Sequence, residues 1–398
     1  MSPSRSEVSG QGVDQWLATL GLRFDPFRRL NADYDDRIHE YLVGHETFEA
    51  IRGNDVSFVF APAGGGKSAF RVRLARACRV GEQGRRIFPI VYLLPGTVIL
   101  AKKEHLLQVH LRAIFRAAAF ELLLRLAYRP HEFTALDGST QQTIRVLLEQ
   151  GLPSPLPHIL AQMETPDDLS RLAQSYDPTA RWPNAPNAKM LREFRQNILG
   201  IPLPPELPAP SDDLNRWLIL WLDLLLGPMG FEAVYLLLDG VDAYPETLRD
   251  GRYTIAVLSP LLKQAAKWAK RLMFLKAFLP LELEPELRKS FPELLSRASV
   301  GIVKWTPELL VALLRSRVEA ATETAPASLD MLCHPGLRGA DELVIRAVKP
   351  LPREVLAFVE RMLFEHVRRF RAEGKLTRED LEAAHRWYTR NGTVTGNT

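Results

Sequence analysis

The 398-residue sequence has only two cysteines, Cys78 and Cys333, far apart and without metal-ligand spacing, so neither a disulfide framework nor a zinc module is expected. A reducing cytoplasm is the natural compartment for such a chain. Blocks of like charge are also missing: 51 basic residues stand against 47 acidic ones, and a net charge of +4 does not by itself argue for nucleic acid. Long apolar runs are absent too. The greasiest segment, WLILWLDLLLGPMG (217–230), is interrupted by Asp223 and broken by Gly-Pro short of a bilayer span, so no membrane segment is expected. The opening MSPSRSEVSGQG is polar and lacks the apolar core of a secretory signal. Residues 1–20 and 391–398 are therefore expected to be flexible tails. Internal repeats are not found, and GIPLPPELPAPSDD (200–213) is the one strong Pro-rich linker, expected to run extended between helical units. At 46% hydrophobic and 25% charged, what remains is an ordinary globular chain with room for two or three packed units.

Against that background VSFVFAPAGGGKSAFRVRLARA (56–77) stands out: an apolar strand, a loop with three consecutive glycines, a Lys-Ser pair and a helical segment. The loop fits the phosphate-binding pattern Ala/Gly-x-x-x-x-Gly-Lys-Ser/Thr, with Ala61 in place of the usual first glycine. A polyphosphate needs many convergent backbone N–H donors, and only residues with small or absent side chains let the main chain wrap it closely. Ala61, Pro62, Ala63, Gly64, Gly65, Gly66, Lys67, Ser68 and Ala69 are the candidate cradle. Lys67 would place a positive charge on the β- and γ-phosphates, and the Ser68 hydroxyl would ligate Mg2+ at the helix N-terminus, whose dipole favours the anion. The plain alternative is a flexible glycine turn between strand and helix.

If the loop does hold a nucleoside triphosphate, a second element should exist, a buried strand ending in an acidic residue. AVYLLLDGVDAY (233–244) supplies one: Val234 to Leu238 read as a strand buried on both faces, with Asp239 at its C-terminal end, where ligands bind in open α/β sheets. Asp239 is the candidate magnesium residue, and Asp242 is placed to orient the attacking water or act as its base. Taken alone, the segment reads equally as a strand closed by an Asp-Gly turn.

LLLDGVDAY resembles the acidic-strand motif of STAND-type ATPases, NACHT modules included, within the wider AAA+ and origin-recognition-like group of P-loop NTPases. One departure is Ala243, where many NACHT sequences carry glutamate; the change counts against efficient hydrolysis. The resemblance extends along the chain. RLMFLKAFLP (271–280) reads as a further strand, and Lys276 takes the place of a polar sensor near the γ-phosphate. Arg297 resembles an arginine finger offered to a neighbouring subunit, or is a solvated surface arginine. TPELLVALLRSRVEAA (306–321) carries helix-start signals at Thr306, Pro307 and Glu308 and opens a helical lid. In that lid PLPREVLAF resembles a sensor 2 motif, so Arg353 would point at the nucleotide, the alternative being a residue that merely packs at a helix start. KLTREDLEAAHRWY (375–388) adds a helix capped by Thr377. GLRFDPF (21–27) and YLVGHETFEAI (41–51) resemble the segment that packs on adenine, although Phe24 and Phe27 read equally as core.

Between the strand RIFPIVYLL (86–94) and the next lies a large helical insertion, about 100–230. In its best segment Leu107, Leu111, Ile114, Phe115, Ala118 and Leu122 form an apolar stripe, flanked by Arg112, Arg116 and Arg125, which read as the solvated side or, alternatively, as contacts to a partner or nucleic acid. His105 and His110 share no metal face. The expected fold is α/β: a P-loop NTPase core with a parallel sheet flanked by helices (21–305), a large helical insertion and a C-terminal helical lid (306–390). The resemblance implies a cytoplasmic regulatory ATPase that binds ATP and Mg2+, its nucleotide state controlling homo-oligomerisation or a separate effector protein in a bacterial signalling or defence setting. A nucleic-acid-associated AAA+ loader or transposition regulator is the second expectation, although no helix-turn-helix pattern supports it. A small-molecule kinase is the third, and the PLPR lid counts against it.

Overall fold

The computed structural model describes residues 5–204, 214–322, 327–370 and 373–391. The linker expected over 200–213 falls largely outside them, at 205–213, and the C-terminal tail does so from 392 onward. Five strands form one parallel sheet in the order β2-β3-β4-β1-β5: β1 Ser57–Ala61, β2 Ile87–Leu93, β3 Ala233–Asp239, β4 Met273–Pro280 and β5 Ser299–Ile302. The helices that matter to the site are α1 (Arg5–Thr19), α2 (Lys67–Val80), α3 (Leu106–Tyr128), α4 (Pro166–Tyr176), α5 (Gly251–Ala269), α6 (Pro292–Arg297), α7 (Pro307–Ala321), α8 (Pro352–Phe370) and α9 (Arg378–Asn391).

β1, β3 and β4 are buried along their whole length, as continuous apolar runs in a parallel sheet should be. β5 alternates between half-buried and exposed, leaving Val300 and Ile302 open on an edge. Parallel pairing aligns Leu93 with Asp239 at the C-terminal ends of β2 and β3, and Leu237 with Lys276. β4 stands between β1 and β3, so the strand leading into the glycine loop and the strand ending in Asp239 are not neighbours.

The chain divides into two compact units, each with its own hydrophobic core. One comprises Thr47–Phe60 and Phe70–Ile302: the sheet, most of α2, and the helices inserted between β2 and β3. Its insertion is held by buried charge. Arg125, read as a solvated flank, is instead 4% exposed and paired to Glu132 at 2.7 Å, because it lies on the fully packed C-terminal half of α3. His110 is fully buried, bonded to the Tyr92 hydroxyl at 2.6 Å and placed 3.0 Å from Val257 O.

The other unit takes in residues up to Glu46, Ala61–Ala69 and Val303 onward. The N-terminal approach, expected with the core, clusters with the lid segment as far as Glu46, and only Thr47–Ile51 falls in the sheet unit. Arg23 N–H donates to Ala321 O at 2.8 Å, and Arg317 reaches Asp35 at 3.2 Å, a carboxylate 1% exposed that also accepts from Tyr41. Residues 5–19 are not a tail: they form α1, because Val13, Trp16, Leu17 and Leu20 recur at helical spacing and supply a face to bury. Trp16 is fully buried and its indole N–H donates to Gly374 O at 2.9 Å. Phe27 is core, and Phe24 lies half-buried under the Arg37 guanidinium, 4.2 Å from its ring. No described helix is long and apolar enough to cross a membrane.

Candidate functional site

The glycine loop joins the end of β1 to the start of α2 and has the backbone that its residues permit. Gly64 and Gly66 have φ of +73° and +92°, in the left-handed region where other residues are strained. Between them Gly65 N–H donates to Pro62 O at 2.9 Å, and an added Cβ would stand 2.9 Å from that same oxygen. Only glycine fits there. Backbone that alternates between left- and right-handed conformations can aim successive N–H groups at a common centre, the geometry of an anion-binding concavity. Lys67 opens α2 with its side chain 6% exposed, folded back so that Nζ lies 3.4 Å from Ala61 O and 3.5 Å from Pro62 O. Ser68 follows in the first turn, half-buried.

Two residues from far along the chain hold this loop. Trp305 donates its indole N–H to Gly65 O at 2.9 Å and covers Gly66 with its ring; His45 packs beside it, ring centres 5.7 Å apart, with Nε2 3.0 Å from Lys304 O. Arg353, at the start of α8, donates its backbone N–H to Gly64 O at 3.3 Å. The Arg353 backbone is thus brought to the glycine loop, a contact that does not involve the guanidinium of the sensor expectation, while Trp305 was not foreseen. Nothing in the sequence marks Trp305 beyond an aromatic just before the Thr306 cap.

In the sheet unit Asp239 ends β3 with its side chain 2% exposed. Its Oδ1 accepts from Gly240 N–H at 2.8 Å, and its Oδ2 accepts from Arg71 Nε at 3.2 Å. Gly240 (φ +74°) starts a turn closed by Ala243 N–H on Gly240 O at 3.2 Å, and this leaves Asp242 half-buried three residues on. Arg71 is a second residue that the sequence reading missed. Its signal was its position on α2, one turn beyond Lys67 and on the same face as Leu74, Ala75 and Cys78, where an exposed arginine would not be expected.

No family model, curated protein or solved structure matches this chain.

Two assignments fare differently. Lys276 is not a nucleotide sensor. Its Nζ donates to Gly53 O at 2.6 Å, Ser57 Oγ at 2.8 Å and Asp55 at 3.0 Å, groups at the start of β1, the end opposite the glycine loop. The reason is its place: it is the fourth residue of an eight-residue strand and points away from that strand's C-terminal end. Burial pulls its ammonium down to about 8 despite the Asp55 charge beside it. The C-terminal end of β4, Ala277–Pro280, offers no polar side chain for the sensor role. Arg297 ends α6 exposed, and among the described residues it makes no hydrogen bond or ion pair.

Proposed function

We propose that this protein is a Mg2+–ATP-binding switch of the STAND/AAA+ type, in which the glycine loop holds the phosphates and Asp239 the metal. The observation that carries this reading is the loop itself: positive φ at Gly64 and Gly66, no room for a Cβ at Gly65, and Lys67 and Ser68 at the N-terminus of α2. These residues suit a triphosphate. The loop N–H groups and the helix dipole favour the anion, and Lys67 must leave its long contacts to Ala61 O and Pro62 O to meet the γ-phosphate. Among the described residues no group of three or more His, Cys, Asp or Glu could hold a metal. Magnesium usually takes one or two protein ligands together with phosphate oxygens and water, so Ser68 and Asp239 suffice in this reading. When bound, the ion would supply positive charge against the charge developing on the transferred phosphoryl group.

The switch follows from what already touches the loop. Trp305 and Arg353 lie in the same compact unit as Gly64–Lys67 and are bonded to it, so a loop reshaped by phosphate is felt at the start of α7 and α8. Ala243 at the position of a familiar glutamate, and the apolar end of β4, both argue for slow turnover, which suits a switch better than a motor. The experiment is particle size by light scattering with ATP, with ADP and without nucleotide, for wild type and Lys67→Ala. The reading expects an ATP-dependent change that Lys67→Ala abolishes; indifference to all three states contradicts a self-assembling switch.

A further inference from the structure

The carboxylate assigned to magnesium is already engaged by a cation from the same polypeptide. Arg71 and Asp239, 1% and 2% exposed, form an ion pair at 3.2 Å. Eight residues along α2, on the same face, Arg79 makes a bidentate pair with Glu121 of α3, at 2.9 and 2.8 Å, and donates to Asp177, just past α4, at 2.9 Å. All three are at most 2% exposed. Asp177 in turn accepts from the backbone and hydroxyl of Thr179, so it organises the start of the next segment. Although burial pushes the Asp177 carboxyl up, Arg79 first and Arg71 next hold it at about 2. A buried line of alternating charge therefore runs from the end of β3 to the helical insertion.

Resting on the nucleotide reading above, we propose that Arg71 is a displaceable counter-ion: without metal it neutralises Asp239, and Mg2+ entering with nucleotide drives it toward Asp177, so that metal occupancy is transmitted to the helical insertion. The physical reason is charge balance. A buried carboxylate is costly without a cation, but an arginine and a divalent ion on the same carboxylate repel each other. One must move, and Asp177, held by Arg79 farther along the same face of α2, is the buried acid toward which the arginine would turn. Arg71 is thus a positioning residue, acting on the metal through Asp239 and on the insertion through Asp177.

The test uses the full chain and a non-hydrolysable ATP analogue, with two readouts besides activity. One is the Mg2+ concentration that half-saturates analogue binding by calorimetry; the other is amide hydrogen exchange over 176–181 with the analogue in Mg2+ or in EDTA. In wild type, exchange there is expected to differ between Mg2+ and EDTA. In Arg71→Met the Mg2+ midpoint is expected to fall about tenfold, as a coupling of ordinary size predicts, and the exchange difference to vanish. If Arg71→Met does not fold, Arg71→Lys replaces it: a compact ammonium without the guanidinium fork is expected to lower the midpoint about threefold. An unchanged midpoint in the folded variant, or an exchange difference that persists in Arg71→Met, overturns the counter-ion role while leaving nucleotide binding intact. Failure of the wild type to bind the analogue at all overturns the nucleotide reading, and this one with it.

Discussion

A methyl group at Gly65 would sit 2.9 Å from Pro62 O and 3.1 Å from Ala61 Cβ, both fixed in a loop bonded to Trp305. Gly65→Ala is expected to cost about 1–3 kcal/mol in urea unfolding, the usual range for overpacking, and to weaken ATP binding as well. Glu360 gives a pH-dependent test. Burial, with the Asp25 charge adding to it and Arg28 and Arg361 opposing, raises its carboxyl from 4.5 to about 7. The folded state therefore holds a proton that the unfolded chain has released between these values. The associated stability is complete below about 4.5 and is lost as pH rises through 7. Glu360→Gln should thus be stabilised over wild type by up to about 3 kcal/mol at pH 8 and match it near pH 4.5; equal melting shifts at both pH values would contradict this. At this scale the sequence was legible where chemistry is local. Lys67, Ser68 and the glycines declare themselves in one stretch, and Asp239 by ending an apolar strand. Arg71 and Trp305 did not, because their partners lie 168 and 240 residues away.

The strands were recognisable as apolar runs, and Thr306 caps α7 as expected, accepting from Leu309 N–H at 3.3 Å. Thr377 precedes α9, where it donates its N–H and hydroxyl to Asp380 at 2.8 and 3.0 Å. Strand order was not legible, since crossovers through long insertions decide it and a strand's own residues do not. That is why Lys276 was misplaced: order along the chain suggested a sensor, whereas its position within β4 makes it a clamp. It ties β4 to Ser57 of β1, and through Asp55 to Ser299 of β5. Lys276→Met should therefore destabilise the sheet by about 3 kcal/mol in chemical denaturation, as expected when one partner of a buried pair is lost, without affecting ATP affinity. Reduced ATP affinity with unchanged stability would restore the sensor role. The N-terminal helix α1 was overlooked because polar small residues at its start masked the apolar face that begins at Val13.

For the whole molecule, the division of the chain is the least expected feature. The glycine loop belongs to the unit that contains the N-terminal segment and the lid, while Asp239 belongs to the sheet unit. Composition could not show this, since long-range bonds such as Arg23 to Ala321 set the partition. If the protein assembles, the exposed Arg297 is the group expected to serve a neighbouring copy. Arg297→Ala should then leave ATP affinity unchanged and lower turnover in the assembled state by about 10³-fold or more, the scale of a lost arginine finger. Turnover equal to wild type would mark Arg297 as surface only. The central claim, that residues 61–68 and Asp239 hold one magnesium-bound triphosphate, is tested most directly by calorimetry of ATP with Mg2+ on wild type, Lys67→Ala and Asp239→Asn. Wild type should bind one ATP per chain; Lys67→Ala should lose at least about tenfold in affinity, and Asp239→Asn should lose the dependence on Mg2+. No ATP binding by the folded wild type, or binding that neither substitution alters, would contradict it.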